Sequence, residues 1–235
     1  MRITRASQVS AVATEAPATI RIFQQLGIDF CCGGKRPLAE ACADRGLDVE
    51  VLVATLRGTM ADADAERDWQ AAPLGDLIVH IQQRFHEPLR QELSRFSAML
   101  AQVVSRHGEH LPGILHPLQT TFSALQDDLL QHMAKEDRVL FPAIVAAEAG
   151  DAVAAAWVSQ PIAVMEAEHA HAGLALAQMR ELTGGYVPPE WACPTFRGLY
   201  HGLAEFEREM HVHVHLENNV LFPRAASTGV AVPAP

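Results

Sequence analysis

The sequence HMAKEDRVLFP, at residues 132–142, returns later in the chain as HVHLENNVLFP, at residues 213–223. Each copy places a histidine four residues before a glutamate and ends in Leu-Phe-Pro. At 3.6 residues per turn, His132, Glu136 and Leu140 share one stripe of a helix, and the second copy repeats that stripe. Because the polar pair continues into apolar residues, we expect it to face a protein interior.

A buried imidazole and a buried carboxylate must both be satisfied, since an unpaired polar group in a dry interior costs several kcal/mol. A shared metal ion would satisfy both groups in both copies. The alternative is a His–Glu pair on a wet helix face, which contributes about 0.2 to 0.5 kcal/mol. That alternative explains a single copy better than two copies that both continue into Leu-Phe. The repeat therefore indicates a metal site.

Composition sets limits on the class of protein. The chain has 235 residues, of which 49% are hydrophobic, as expected for a globular domain with a small appendage. Acidic residues outnumber basic ones by 28 to 18, and the net charge of -10 argues against general affinity for nucleic acid or anionic membranes. No apolar run approaches the roughly 20 residues of a spanning helix, and no secretory signal is evident at the N-terminus.

Helical periodicity and chain breakers divide the sequence into four parts. Residues 1–58 contain short helical segments broken by glycines, and residues 59–73 have the small and acidic composition of a linker. Residues 74–225 contain four long helical patterns with short connections, which predicts an all-α, up-down-up-down four-helix bundle. Residues 226–235 are predicted to be a disordered tail. The two repeats fall on the second and fourth bundle helices.

The first and third bundle helices must then supply the remaining ligands. The first helix offers His80 and His86, and the third offers His169 and His171. His86 borders the apolar stripe of its helix, whereas His80 lies about 120° away from it. His169 follows Met165 by four residues and shares its face. We therefore favour His86 and His169.

The HVHVH run of the fourth helix offers three histidines, at residues 211, 213 and 215. His213 and Glu217 keep the register of the first copy, so we expect them to face the site. His211 and His215 lie on the other side of the helix. We expect these two histidines to be solvated or to stand behind the ligands.

The predicted ligands are His86, His132, Glu136, His169, His213 and Glu217. Four imidazoles and two carboxylates exceed a tetrahedral zinc site, and they suit two octahedral iron ions bridged by both glutamates. A further bridging oxygen is expected when the non-haem iron pair is oxidised. Asp128 and Glu168 are candidates to orient ligands or to relay protons, the alternative being ordinary surface carboxylates.

Five segments together resemble the Repair of Iron Centres family, hemerythrin-like di-iron proteins with an N-terminal ScdA-type domain. The segments are DFCCGGKRPLAEA (29–41), DWQAAPL (68–74), HMAKEDRVLFP (132–142), VMEAEHAHAG (164–173) and HVHLENNVLFP (213–223). The resemblance covers nearly the whole chain, and the family's ligand positions fall on the six residues named above. The family's two outer glutamates correspond to Asp128 and Glu168.

The resemblance implies a cytoplasmic bacterial protein of the nitrosative and oxidative stress response. It implies repair of damaged iron-sulfur proteins, reduction of nitric oxide to nitrous oxide, or both, with an electron donor that the sequence does not identify. The alternatives are a protein that binds nitric oxide or oxygen without turnover and a bundle whose metal is structural. The double cysteine favours repair, because a gas carrier needs no thiols.

Cys31 and Cys32 lie between an aspartate and two glycines, close to Lys35 and Arg36. Positive charge and a helix N-terminus favour thiolate, so we interpret the pair as a dithiol for redox chemistry or iron handling. The alternative is a tight glycine turn with two small buried residues. Cys42 and Cys193 are interpreted as packing residues.

Overall fold

The structure, a computed structural model, describes residues 2–61 and 68–228. The N-terminal domain contains α1 (Val9–Glu15), α2 (Ile20–Gln25), α3 (Leu38–Ala43) and α4 (Val49–Ala61). Helices α2 and α3 are each followed by a glycine, Gly27 and Gly46, that adopts a φ of 63°. Beyond each glycine an amide bonds back five residues, Ile28 to Phe23 and Leu47 to Cys42, which closes the helix end.

Four long helical rods follow and form the bundle. The first comprises α5 (Leu74–Ile81), a π-helical turn (Gln82–His86) and α6 (Glu87–His107); the second comprises α7 (Pro112–Lys135), a π-helical turn (Glu136–Leu140) and α8 (Phe141–Glu148). The third comprises α9 (Ala152–Trp157) and α10 (Ser159–Leu182), and the fourth comprises α11 (Pro194–Leu216), a π-helical turn (Glu217–Leu221) and α12 (Phe222–Ser227). The all-α bundle with a small helical domain before it is confirmed.

Two predicted boundaries differ from the structure. Helix α4 continues to Ala61, three residues into the predicted linker at 59–73, and residues 62–67 lie outside the described part of the chain. The predicted tail begins too early, because Ala226 and Ser227 belong to α12. Arg224 holds this last helix in place by donating to the carbonyl oxygens of Trp69 and Ala72. Residues 229–235 lie outside the description.

Each π-helical turn precedes a proline, at Pro88, Pro142 and Pro223. Proline has no amide hydrogen, and its ring clashes with the carbonyl group four residues earlier in an α-helix. The π-turn inserts one extra residue, so that Phe141 bonds to the carbonyl of Glu136, five residues back. The helices therefore continue through Leu-Phe-Pro instead of breaking there.

The buried apolar residues of the bundle form two clusters with a polar layer between them. One cluster includes Phe96, Phe122 and Tyr200, and the other includes Ile144 and Leu221. In sequence, His86, Glu136, His169 and Glu217 fall between members of the two clusters, and His132 and His213 each lie directly before the last member of the first cluster on their helix. The polar site therefore lies in a middle layer of the bundle, between the two apolar clusters.

The first apolar cluster provides a test of how closely two bundle helices approach. A methyl group added at Gly202 would overlap the Phe96 ring, which is fixed by an edge contact with Phe122 at 6.2 Å. We expect Gly202→Ala to lower the free energy of unfolding by about 1–3 kcal/mol through overpacking. Gly198→Ala, four residues earlier, meets only Met99 at 3.6 Å and is expected to stabilise the helix by up to about 1 kcal/mol. Urea unfolding of both variants and the parent protein measures the effects, and equal effects would contradict the close approach.

Candidate metal centre

Two groups of side chains in the middle of the bundle have the composition of metal sites. The first contains His86, Glu136, His213 and Glu217, and the second contains His132, Glu136, His169 and Glu217. Within each group the possible ligand atoms lie within 4.8 Å of one another. All six predicted ligands are thus brought together and buried, and both glutamates belong to both groups.

The two imidazoles of the first group come from the first and fourth bundle helices. Nε2 of His86 lies 3.0 Å from Nε2 of His213. Oε1 of Glu217 lies 3.0 Å from His213 Nε2 and 3.7 Å from His86 Nε2, and Oε2 of Glu136 lies 3.5 Å from His86 Nε2. Two imidazoles therefore face one oxygen of each glutamate.

The two imidazoles of the second group come from the second and third bundle helices. Nε2 of His132 lies 2.9 Å from Nε2 of His169. Oε2 of Glu217 lies 3.1 Å from His169 Nε2, and Oε2 of Glu136 lies 3.2 Å from His132 Nε2. Glu217 thus turns one oxygen towards each imidazole pair, which is how a bridging carboxylate is arranged.

Several buried carboxylate oxygens of the site lack a hydrogen-bond donor among the described residues. Both carboxylate oxygens of Glu136 and Oε2 of Glu217 are buried and make no hydrogen bond within the described residues. Leaving a carboxylate buried in this way is costly unless a cation accompanies it. Four nitrogen and two carboxylate donors fit an iron pair. Their role as iron ligands remains a prediction.

Charge interactions in the site raise the pKa values of two histidines and lower the pKa of Glu217. Burial by itself lowers the pKa of His86, but the hydrogen bond to Asp137 and the nearby charges of Glu217 and Glu136 outweigh it and raise the pKa to about 9. The pKa of His169 is likewise raised to about 9, by Glu217 and Glu136, against the effect of burial. Burial raises the pKa of Glu217, yet the surrounding histidines hold it well below its usual range. The glutamates thus favour positive charge at the positions proposed for the metal.

The outward-facing nitrogens of three histidines have polar partners. Nδ1 of His86 lies 2.9 Å from Asp137 Oδ1, and Nδ1 of His132 lies 2.9 Å from Glu168 Oε2. Nδ1 of His169 lies 2.7 Å from Oδ1 of Asn218. With its proton on Nδ1, each ring donates outwards and leaves Nε2 free for a metal ion.

Two of these partners, Asp137 and Asn218, were missed by the sequence analysis. Both residues immediately follow a predicted bridging glutamate. A polar residue after the glutamate of each repeat is the sequence feature from which they could have been predicted. Asp137 also bonds Gln82 and Arg90. Burial tends to raise the pKa of Asp137, but its hydrogen bonds to His86 and Gln82 hold that pKa well below its usual range.

The structure does not bring Asp128 to the predicted ligands. Its carboxylate is largely exposed and lies 3.9 Å from His171, which is exposed as well. Four residues advance about 400° round a helix, so Asp128 is rotated about 40° from His132, away from Glu136. The partner of His132 comes instead from the third helix. There Glu168 bonds His132 and is also paired with Lys135.

Aromatic rings from the repeats cover the imidazoles. Phe141 stacks on His86 with ring centres 5.6 Å apart. Phe222 stacks on His169 at 5.9 Å. Phe85, from the first helix, stacks on His213 at 5.2 Å, with the ring planes 5° apart. These rings limit the access of water to the ligands, which strengthens electrostatic interactions inside the site.

His215 was predicted to be solvated or to stand behind the ligands, and the structure instead buries it against the N-terminal domain. Its side chain is 1% exposed, because the N-terminal domain covers that face of the fourth helix. Burial lowers the pKa of His215 to about 4, against the effect of a hydrogen bond with the Phe30 carbonyl. His80 lies outside the site, where it stacks on Trp69 at 4.5 Å.

The double cysteine lies beside the third bundle helix. Asp29 accepts hydrogen bonds from the amides of Cys31, Cys32 and Gly33 and so fixes the turn. The two sulfur atoms are 3.8 Å apart, and Cys32 Sγ lies 3.8 Å from the carbonyl oxygen of His169. A predicted ligand and a thiol therefore meet at the edge of the site.

Cys31 and Cys32 have different acidities. The hydrogen bond from Cys31 lowers the pKa of Cys32, whereas that same contact together with burial raises the pKa of Cys31. Thiolate character was predicted from nearby positive charge and a helix N-terminus, but Arg36 is paired with Asp44 at 2.7 Å. The more acidic thiol is the exposed Cys32.

Comparisons with known proteins agree with this architecture. Residues 77–225 match the model for the hemerythrin HHE cation binding domain, and residues 5–59 match ScdA_N, a domain of unknown function. The chain is 40% identical over 221 residues to the iron-sulfur cluster repair protein YtfE of Pectobacterium atrosepticum, covering 94% of this chain and 97% of that protein. The chain belongs to the Repair of Iron Centres family.

Other relatives of this Repair of Iron Centres protein carry the same name. YtfE of Musicola paradisiaca is 41% identical over 221 residues, covering 94% of this chain and 96% of that protein. YtfE of Yersinia pseudotuberculosis is 40% identical, with 94% and 97% covered. The predicted family is thereby confirmed, and a cation-binding domain covers the bundle that holds the His–Glu site. Among the described residues, no helix combines the length and apolar character needed to cross a membrane.

The hydrogen bond between Asp137 and His86 gives a test of the outer partners. We expect Asp137→Ala to weaken metal affinity roughly 10- to 100-fold, because the His86 ring loses the acceptor that orients it. Asp128→Ala is the matched control and is expected to leave affinity unchanged, since Asp128 makes no contact with a predicted ligand. Anaerobic titration with ferrous iron against a competing chelator measures both. An equal effect of the two substitutions would contradict the assignment.

Proposed function

We propose that this protein repairs damaged iron-sulfur clusters in the bacterial cytoplasm by means of a carboxylate-bridged pair of iron ions. The proposed ligands are His86, His132, Glu136, His169, His213 and Glu217. The observation that carries the proposal is that each buried glutamate is shared by two separate pairs of imidazoles. The relatives named as iron-sulfur cluster repair proteins support the choice of reaction.

Sharing of the glutamates favours two metal ions over one. Two His pairs come from different pairs of helices, and Glu217 directs a different oxygen to each pair. A single ion would leave half of the donors buried without a partner, at a cost of several kcal/mol. Two ions satisfy all the donors and neutralise both carboxylates.

A pair of ferrous ions held by these six residues would supply two electrons and would bind small ligands such as nitric oxide or oxygen. Reduction of two nitric oxide molecules to nitrous oxide and water consumes two electrons and two protons, and we propose this as a second reaction. The phenylalanine rings stacked on the imidazoles favour an uncharged gas over water. Glu168, which reaches solvent and bonds His132, is the residue proposed to pass protons inwards. An external electron donor is required.

Cys31 and Cys32 are proposed to handle iron or redox equivalents at the edge of this site. All four cysteines are unpaired, as a reducing compartment allows. Cys32 is exposed, has a lowered pKa and lies against the backbone of His169. A thiolate at this position is a suitable ligand for iron moving between the bundle and a damaged iron-sulfur protein.

Iron content tests the proposed centre directly. We expect the purified protein to hold about two iron ions per chain, antiferromagnetically coupled when oxidised, as a bridged pair requires. Glu136→Ala and His213→Ala should each lose the pair, because one removes a bridge and the other a ligand. His171→Ala replaces an exposed histidine on the third helix and should retain the iron. Elemental analysis and Mössbauer spectra measure the result, and a coupled pair surviving in Glu136→Ala would contradict the centre.

The same iron-loaded protein separates turnover from simple gas binding. Reduced protein supplied with nitric oxide should release nitrous oxide, which gas chromatography detects. Reversible binding without nitrous oxide would favour the gas-binding alternative. This result leaves cluster repair to be judged by its own assay.

Repair itself is tested on a [4Fe–4S] dehydratase inactivated by nitric oxide. We expect the iron-loaded protein to restore dehydratase activity, and Glu136→Ala to fail because it holds no iron pair. A variant with both Cys31→Ser and Cys32→Ser should keep its iron but restore activity at least about 10-fold more slowly, since serine is a poor iron ligand. Cys42→Ser, in the N-terminal core, is the matched control. Equal restoration by all the variants would overturn the proposal.

A further inference from the structure

The HVHVH segment of α11 presents histidines to two different surroundings. His213 belongs to the candidate metal centre. His211 and His215 lie on the opposite side and flank the ring of Phe30, with ring centres 6.3 and 5.4 Å away. Residues two apart are separated by about 200° round a helix. A single segment therefore faces the metal site on one side and the N-terminal domain on the other.

His215 contacts the N-terminal domain through both of its ring nitrogens. Nδ1 lies 3.0 Å from the carbonyl oxygen of Phe30, and Nε2 lies 3.4 Å from the hydroxyl oxygen of Thr14. A neutral imidazole with its proton on Nδ1 donates to the carbonyl and accepts from the hydroxyl. Because the side chain is buried, removing it would leave the Phe30 carbonyl without a partner.

Asn219 makes the equivalent contact one turn later. Its Nδ2 donates to the carbonyl oxygen of Cys31 at 3.0 Å. Two consecutive carbonyl groups of the double-cysteine loop, those of Phe30 and Cys31, are thus held by two side chains of the fourth bundle helix. Both side chains alternate along the chain with the predicted ligands His213 and Glu217.

The other side of the loop rests on the third bundle helix. Cys32 Sγ lies 3.8 Å from the carbonyl oxygen of His169. One turn further, a Cβ atom placed at Gly173 would lie 3.9 Å from the same sulfur, so the loop sits close to the helix backbone. The loop therefore spans the two helices that supply three of the predicted ligands.

We propose that His215 and Asn219 are positioning residues that fasten the Cys31–Cys32 loop to the bundle beside the metal centre. This role rests on the proposed function and adds to it the residues that keep the thiols within reach of the iron. Neither residue contacts the metal in this assignment. Their effect on the loop can be measured without iron, so a failure here is distinguishable from a failure of the repair proposal.

The cysteines of the N-terminal domain provide the readout. Cys31 is 6% exposed and belongs to the loop that His215 and Asn219 contact, whereas Cys42 is 1% exposed within the core of the domain. Alkylation by iodoacetamide, followed by peptide mass spectrometry, gives a rate for each thiol in the intact protein. In the variant with His215→Ala and Asn219→Ala we expect Cys31 to react roughly 10-fold faster or more, because losing buried hydrogen bonds favours local opening. Cys42 should remain protected and iron content unchanged.

Two further variants separate a loop contact from general damage. His215→Asn keeps a hydrogen-bond donor near the position of Nδ1. The alkylation rate of Cys31 in this variant should therefore stay close to that of the unsubstituted protein. His201→Ala replaces an exposed histidine on the same helix and should leave the rate unchanged. An unchanged Cys31 rate in the double variant would overturn the proposal. Parallel exposure of Cys31 and Cys42 would overturn it too, because the residues would then support the domain fold and not the loop.

Discussion

Two buried carboxylates, those of Glu136 and Glu217, impose the main constraint on this structure. Burying them is unfavourable unless cations or donors surround them, and the bundle surrounds them with four imidazoles that come from four different helices. Each helix must present its ligand at one level of the bundle. The apolar clusters above and below that level fix it there, and the phenylalanines of the repeats separate it from water. Packing and metal chemistry thus depend on the same layer.

The fourth bundle helix connects this layer to the N-terminal domain. Alternate residues from His213 to Asn219 face the site and the double-cysteine loop in turn. Both surfaces are therefore built on one short stretch of backbone, which includes the π-helical turn at Glu217–Leu221. This arrangement places thiols and candidate iron ligands in one structural unit, although they belong to domains that the sequence separates by a linker.

The structure brings together the six His and Glu residues whose side of the helix was predicted from helical period. The register of His132, Glu136, His213 and Glu217 came from a repeat with one apolar stripe, and the choice of His86 and His169 came from neighbouring apolar positions. Asp128, one turn before His132, lies away from the site, because offsets of about 40° per four residues place it about 80° round the helix from Glu136. Asp137 and Asn218 were missed because their partners lie on other helices, whose rotation and height no single periodicity determines.

The sequence by itself determined an all-α bundle, six convergent His and Glu residues and a separate double-cysteine segment, because apolar periodicity and spacing fix which side of a helix is buried. Only the tertiary structure decided which residues stand behind the ligands, why His215 is buried, and where the cysteines lie. Those facts depend on contacts between elements distant in the chain, and such contacts are set by the packing of whole helices against one another.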